Sequence, residues 1–167
     1  MRVYSGKSVF GGIAIGTIQV YKKGEQQVKR RKIEDVPAEI GRYRTAKQTA
    51  LEQLQNLYDK ALKEVGQANA AIFEIHQMML EDNYNESVEN IIETQRVNAE
   101  YAVAVTEDNF AQMFASMEDE YMRGRAADVR DISERLVSLL NGTGAGGVQT
   151  EEPVIIAAQD LAPSETV

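Results

Sequence analysis

The pattern of apolar and polar positions divides the chain into three parts. Residues 38–140 contain no proline and three glycines, and apolar side chains recur there at intervals of three, four or seven residues. Such spacing places them on one face of a helix. We therefore predict five helices, at about residues 35–66, 68–81, 85–95, 98–117 and 121–140.

Turn residues separate these helices. Gly66 is expected to end the first helix, Asp82 and Asn83 mark a bend between the second and third, and the side chain of Asn98 is expected to cap the fourth. Asn141-Gly142 is expected to end the fifth helix. Short connections imply antiparallel neighbours, so we predict a helical hairpin or a small bundle.

The two ends of the chain have the composition of β-structure. The first 24 residues are glycine-rich and contain the alternating apolar positions Ile13, Ile15, Ile18 and Val20, which predict one or two strands joined by a glycine turn. Residues 153–158 predict a short buried strand. A lone hairpin is marginal in water, so the two ends should pair with each other.

The helical part is then an insertion into an incomplete α/β unit. The predicted fold is mainly α, with first strands in residues 1–24, a helical domain in 33–142 and a return strand in 148–167. Pro163, Ser164 and Glu165 are typical of a helix start, and the chain ends two residues later. We therefore expect it to be a fragment of a longer protein.

Composition removes several classes of chemistry. The chain has no cysteine and one histidine, which excludes disulfides, thiol nucleophiles and metal sites that require two histidines. No apolar run is long enough to span a bilayer, so we expect no membrane partner and a cytoplasmic location. The net charge of -8 argues against nucleic acid as a partner.

The charge is unevenly distributed. Residues 22–44 hold eight basic and four acidic side chains, whereas residues 64–122 hold thirteen carboxylates and a single base, Arg96. One interpretation is an ordinary solvated helical surface. The alternative is a face that steers a basic protein towards itself, which the shortage of interspersed Lys and Arg favours. The sequence alone is compatible with both interpretations.

Three candidate sites for catalysis or for binding a metal or phosphate are not supported by the sequence. His76 lies within a predicted helix with no glycine loop or basic cluster near it, so we expect it to pack between helices or at an interface rather than to accept a phosphoryl group. Glu74 and His76 have the wrong spacing for a di-iron bundle. The glycines of residues 142–147 lack the lysine of a P-loop and indicate a linker.

Four segments in order resemble the Enzyme I family of the bacterial sugar phosphotransferase system, the phosphoenolpyruvate-protein phosphotransferases. Each segment alone is weak, but together they span nearly the whole chain. The residues before the first of them, Lys7–Gly11, depart from the tract common in the family. The four segments are Gly12–Gly16, Ala71–His76 with Met78–Asp82, Tyr121 with Arg125–Ile132, and Ala157–Thr166.

The resemblance implies an enzyme that takes phosphate from phosphoenolpyruvate onto its own histidine and passes it to the carrier protein HPr. The accepting histidine, the magnesium-dependent barrel and the dimer contacts of the family all lie beyond Val167. By this resemblance the chain is the HPr-binding domain plus the first strands of the phosphohistidine domain. It is expected to be inactive alone, monomeric and without a cofactor, whereas the parent enzyme is a dimer that uses Mg.

The resemblance also implies which residues contact HPr. HPr would lie across the second, third and fifth helices, with apolar and hydrogen-bonding contacts surrounded by an acidic rim. Arg130 is expected to pair structurally with Asp128 or Asp131. The alternative function is a helical adaptor or interaction module with no phosphotransfer role. The implied contacts are Met78, Met79, Tyr84, Phe114, Met117, Met122 and Arg125, and the implied rim is Glu74, Glu81 and Asp82.

Overall fold

Five helices form the body of the molecule. The computed structural model describes residues 11–21, 28–143, 153–159 and 161–165. The predicted helix bounds agree with the observed ones to within two residues at every end, which confirms a mainly α fold. The helices are α1 (Val36–Glu64), α2 (Gln67–Glu81), α3 (Asn83–Gln95), α4 (Ala99–Ala115) and α5 (Glu120–Leu140).

Local hydrogen bonds explain where the helices begin and end. The carboxylate of Asp35 accepts the backbone N–H of Ala38 at 2.9 Å, and Pro37 occupies the first turn of α1. Gly66 has a positive φ of 86° and donates its N–H to the carbonyl of Ala61, so it ends α1 as predicted. Asp119 caps α5 through the N–H of Met122.

The predicted role of Asn98 is wrong in one respect. It stands at the N-cap position of α4, but its side chain makes no capping hydrogen bond. Its Oδ1 instead accepts the N–H of Arg31 at 2.7 Å. The first N–H of α4, that of Ala99, donates to the carboxylate of Glu39. The side chain of Asn98 therefore holds the extended segment that precedes α1 and does not cap α4.

The core lies between two helical hairpins. α1 packs along α2, and α4 packs along α5. Burying each of the large apolar side chains between them contributes about 1.5 to 3 kcal/mol. The largest fully buried residues are Tyr43, Leu54, Phe73, Leu80, Tyr84, Ile92, Ile132 and Leu136.

The two ends of the chain meet, as predicted. Strand β1 (Thr17–Val20) pairs in parallel with β2 (Val154–Ala157), and a 3₁₀ turn follows at Pro163–Glu165. The prediction that β2 is buried is wrong, because each strand has only the other as a partner in the described sheet and Ile156 stays 37% exposed. Ile13 and Ile15 lie outside β1 and are exposed.

An ionic cluster joins the ends of three helices. Arg42 of α1 donates to Glu39, to Glu100 of α4, and to the carbonyl of Leu140 at the end of α5. Burial alone would raise the pKa of Glu100, but hydrogen bonds from Arg42 and Asn98 lower it to about 2. The carboxylate is therefore stabilised in its ionised form by the fold.

We expect Glu100→Gln to lower the free energy of unfolding at pH 7 by about 2 kcal/mol, because Arg42 loses its charged acceptor. The pKa of Glu100 falls from 4.5 to about 2 on folding, so its contribution is full above pH 4.5 and is lost as the pH falls towards 2. Thermal unfolding between pH 7 and pH 3 should show the two proteins converging. A constant difference, or an equal loss in the exposed control Glu64→Gln, would contradict this account.

Candidate functional site

An acidic stripe that contains one exposed methionine runs along α2. Glu74, Met78 and Glu81 are spaced four and three residues apart, so they share one face of the helix, and all three are exposed. The side chain of Met78 is 68% exposed, and Asp82 continues the stripe beyond the helix end. The opposite face of α2 is buried in the core. The stripe is thus held rigidly although its own side chains face solvent.

The first turns of α5 carry an aromatic and cationic cluster. The guanidinium of Arg125 lies 4.5 Å from the ring centroid of Tyr121 and donates to its hydroxyl. It also donates to the carboxylate of Asp128 at 2.9 Å. Tyr121 is exposed and Met122 is half-buried between solvent and the bundle. Arg125 is therefore fixed from two sides.

His76 connects α2 to α5. Its ring is fully buried, with Nε2 3.4 Å from Asp128 Oδ1 and Nδ1 3.9 Å from Asp131 Oδ2. Burial alone would raise the pKa of Asp128, but its contacts with His76 and Arg125 lower it below the usual value. These contacts hold α2 against α5 through the face of α2 opposite the stripe. We give the name docking face to the partly or fully exposed residues that the resemblance implies on α2 and at the start of α5: Glu74, Met78, Glu81, Asp82, Met122 and Arg125.

Other residues implied by the resemblance lie deeper. Met79 and Phe114 are half-buried and pack against the hydrophobic core, and Met117 is half-buried after the end of α4. They support the bundle near the docking face and present part of their surface to solvent. Their contact with a partner stays a prediction.

Tyr84 corrects the sequence-based expectation of a surface contact. Helix α3 begins at Asn83, which turns Tyr84 inward, and only 1% of it is exposed. Its ring packs edge-on against Phe110 at 5.7 Å. Its hydroxyl is 2.6 Å from Ser133 Oγ, which itself donates to the carbonyl of Val129, so Tyr84 is the donor. It is a core residue that binds α3 to α5.

The expected pairing of Arg130 is also wrong. Asp128 forms its ion pair with Arg125, and Asp131 accepts from Ser164 through both the hydroxyl at 2.6 Å and the backbone N–H at 3.3 Å. Arg130 is exposed on the opposite side of α5. Periodicity alone did not distinguish the two arginines. The spacing of Asp128 and Asp131 with the apolar positions Ile132 and Leu136 is the sequence signal that places both carboxylates on the inner face.

The acidic surplus is partly neutralised within the fold. Glu89 pairs with Arg44 at 2.7 Å, and Glu100 pairs with Arg42 at 2.8 Å. Both bases come from α1, outside the acidic stretch of residues 64–122. Glu74, Glu81 and Asp82 are exposed and lie on or beside α2. The docking face therefore keeps three solvent-exposed carboxylates.

The described residues do not provide a metal site. No group of three or more His, Asp or Glu side chains that could hold a metal ion is found among them. No described helix is long and apolar enough to cross a membrane. His76 packs between helices with no exposed ring atom, in agreement with the expected packing role.

Comparison with known proteins identifies the class. Residues 5–125 match the family described as PEP-utilising enzyme, N-terminal, and the chain belongs to this family. It is 38% identical over 168 residues to the phosphoenolpyruvate-protein phosphotransferase of Bacillus subtilis (strain 168), covering 99% of this chain and 30% of that protein. The corresponding protein of Bacillus sp. (strain S) is 37% identical over 163 residues, covering 96% and 28%.

Solved structures agree with this assignment. A solution NMR structure of Enzyme I (nEIt) matches with a TM-score of 0.77 and 37% identity, over 90% of this chain and 62% of that one. The N-terminal domain of a nitrogen Enzyme 1 has a TM-score of 0.72 at 24% identity, over 92% and 63%, which supports the fold alone. The chain spans less than a third of the length of the curated relatives. The alternative of a module without phosphotransferase ancestry is ruled out.

The inward position of Tyr84 can be tested directly. Tyr84→Phe removes the hydroxyl that donates to Ser133, so we expect the free energy of unfolding in urea to fall by about 1 kcal/mol. The matched control is Tyr121→Phe, which removes a hydroxyl from an exposed ring. It should change the free energy of unfolding by less than about 0.5 kcal/mol. Equal effects in the two variants would place Tyr84 outside the core.

Proposed function

We propose that this chain is the carrier-binding part of a phosphoenolpyruvate-protein phosphotransferase and that it binds HPr through the docking face. The observation that carries the proposal is the exposed side chain of Met78, which lies between the exposed carboxylates of Glu74 and Glu81 on one face of α2. The family membership of the chain supports the choice of partner. The magnesium, the dimer and the cytoplasmic location of the complete enzyme stay expectations.

The physical character of the docking face suits a basic carrier with a central apolar patch. Methionine has three rotatable side-chain bonds and a polarisable sulfur, so Met78 and Met122 can adapt to the shape of a partner. An apolar centre that excludes water, with a polar rim, is the usual anatomy of a protein interface. Glu74, Glu81 and Asp82 form such a rim on one side.

Phosphotransfer is proposed for the complete enzyme and not for this chain. The buried ring of His76 has no exposed nitrogen to attack a phosphoryl donor, and Asp128 and Asp131 would repel a phosphate brought to it. The role of the described residues is to hold HPr in a fixed orientation. Holding two reactants in place removes much of the entropic cost of a later transfer step.

We expect Met78→Ala to weaken HPr binding about tenfold, because it removes the main exposed apolar contact of the docking face. Leu62→Ala is the matched control, since Leu62 is 41% exposed and lies on α1, outside this face. Isothermal titration calorimetry of both variants against HPr measures the difference. Tight binding by Met78→Ala, or an equal loss in both variants, would contradict the proposed contact.

The carboxylate rim should act mainly on the rate of association. We expect Glu81→Gln to slow HPr association at low salt and to have little effect at high salt, because ions screen exposed charges. Glu93→Gln removes the same charge from the exposed end of α3 and should slow association less. Stopped-flow mixing at about 20 mM and about 500 mM salt tests this, since the screening length shortens severalfold over that range. Association that is independent of salt would exclude steering.

A further inference from the structure

His76 is shared between two buried carboxylates that have different outer partners. Asp128 and Asp131 lie three residues apart on α5, and both are largely buried. Asp128 is bound on its outer side by Arg125 of the docking face. Asp131 is bound by Ser164 of the 163–165 turn. The imidazole ring lies between the two carboxylates and forms a close hydrogen bond with neither of them.

The contacts of the ring are incomplete. Neither nitrogen of His76 makes a hydrogen bond of good geometry, because 3.4 Å and 3.9 Å exceed the usual range. A buried polar group without a full partner is costly, so small movements that shorten either contact are favourable. A ring proton directed at Asp128 competes with Arg125, and one directed at Asp131 competes with Ser164. The two carboxylates are therefore linked through one ring.

We infer that His76 is a positioning residue that couples the docking face to the contact between Asp131 and the 163–165 turn. When Arg125 turns towards a bound partner, Asp128 loses a donor and draws the imidazole closer. The ring then moves away from Asp131, and Asp131 depends more strongly on Ser164. The part of this inference that concerns HPr rests on the proposed function, whereas the coupling within the chain does not.

The coupling extends to the pair of strands β1 and β2. The carboxylate of Glu165 accepts hydrogen bonds from the hydroxyl of Tyr21 at 2.7 Å and from the backbone N–H of Ala162 at 2.7 Å. Tyr21 follows β1, and its N–H donates to Ala157 at the end of β2. A change at Ser164 thus reaches both strands. Thermodynamic reciprocity requires that fixing the turn also changes the affinity of the docking face for its partner.

One further charged group, Arg135, acts on Asp131. Arg135 lies one turn along α5 and is attracted by Asp131 and Glu165, while its Nη1 donates to Gln53 of α1 at 2.7 Å. The edge of the ring meets Phe73, with the planes at 86°. The charged groups around the imidazole among the described residues are Asp128, Asp131, Arg125 and Arg135.

The first test uses the chain alone. His76 is the only histidine, so ¹⁵N-histidine labelling gives one ring whose nitrogen shifts report its protonation and tautomer. We expect Arg125→Gln to move these ring signals and the amide signal of Ser164. In His76→Phe, Arg125→Gln should leave the Ser164 amide unchanged. His76→Gln, which retains one donor, should restore part of the response and serves if the phenylalanine variant does not fold.

The second test measures HPr affinity in a double-mutant cycle. Ser164→Ala should weaken binding about threefold to tenfold although Ser164 is outside the docking face, the range expected for residues that modulate coupling. The same substitution in His76→Phe should have no further effect. Thr94→Ala, an exposed residue of α3, is the control and should not change the affinity.

The outcomes separate the two proposals. The coupling is overturned if Ser164→Ala changes HPr affinity equally with and without His76. It is also overturned if Arg125→Gln leaves the Ser164 amide signal unchanged when His76 is present. Failure of the unsubstituted chain to bind HPr overturns the proposed function, and the ring and amide signals of the free chain then still decide the coupling.

Discussion

The structure depends on a row of buried polar side chains along α5. A helix in a bundle core usually presents an apolar stripe, and each buried polar group must find a partner or cost about 1 to 3 kcal/mol. Here four of them contact four different elements, so α5 holds α1, α2, α3 and the 163–165 turn in place. The pairs are Asp128 with His76 of α2, Asp131 with Ser164, Ser133 with Tyr84 of α3, and Arg135 with Gln53 of α1.

The same arrangement explains how an acidic chain can be stable and still present charge to a partner. Carboxylates inside the fold are matched: Glu100 is bound by Arg42, and Glu89 by Arg44. Those on α2 next to Met78 have no such base beside them in the sequence, and they face solvent. Stability and recognition therefore use different members of one acidic surplus. The buried face that holds α2 in the bundle, with Phe73, His76 and Leu80, is separate from the face that carries these carboxylates.

Features that depend on residues close together in the sequence could be predicted, and features that depend on distant contacts could not. Apolar spacing and the glycines at 66 and 142 predict every helix end closely, because these signals are local. The orientations of the Tyr84 and Asn98 side chains could not be predicted, because they depend on neighbours distant in sequence, Ser133 and Arg31. The exposed face of α2 could be predicted from periodicity. The sharing of His76 by two carboxylates could not, since spacing along α5 places Asp128 and Asp131 on the inner face but does not tell which residue of α2 they contact.

The central claim is that α5 and α2 together form one surface that receives HPr. The most direct measurement is cross-saturation NMR of the ¹⁵N-labelled chain bound to unlabelled HPr, which reports the amides in contact with the partner. We expect saturation to be confined to residues near Met78 on α2 and to the first turns of α5 around Met122 and Arg125. Saturation centred instead on the exposed basic segment at residues 29–32, with α2 unaffected, would contradict the account.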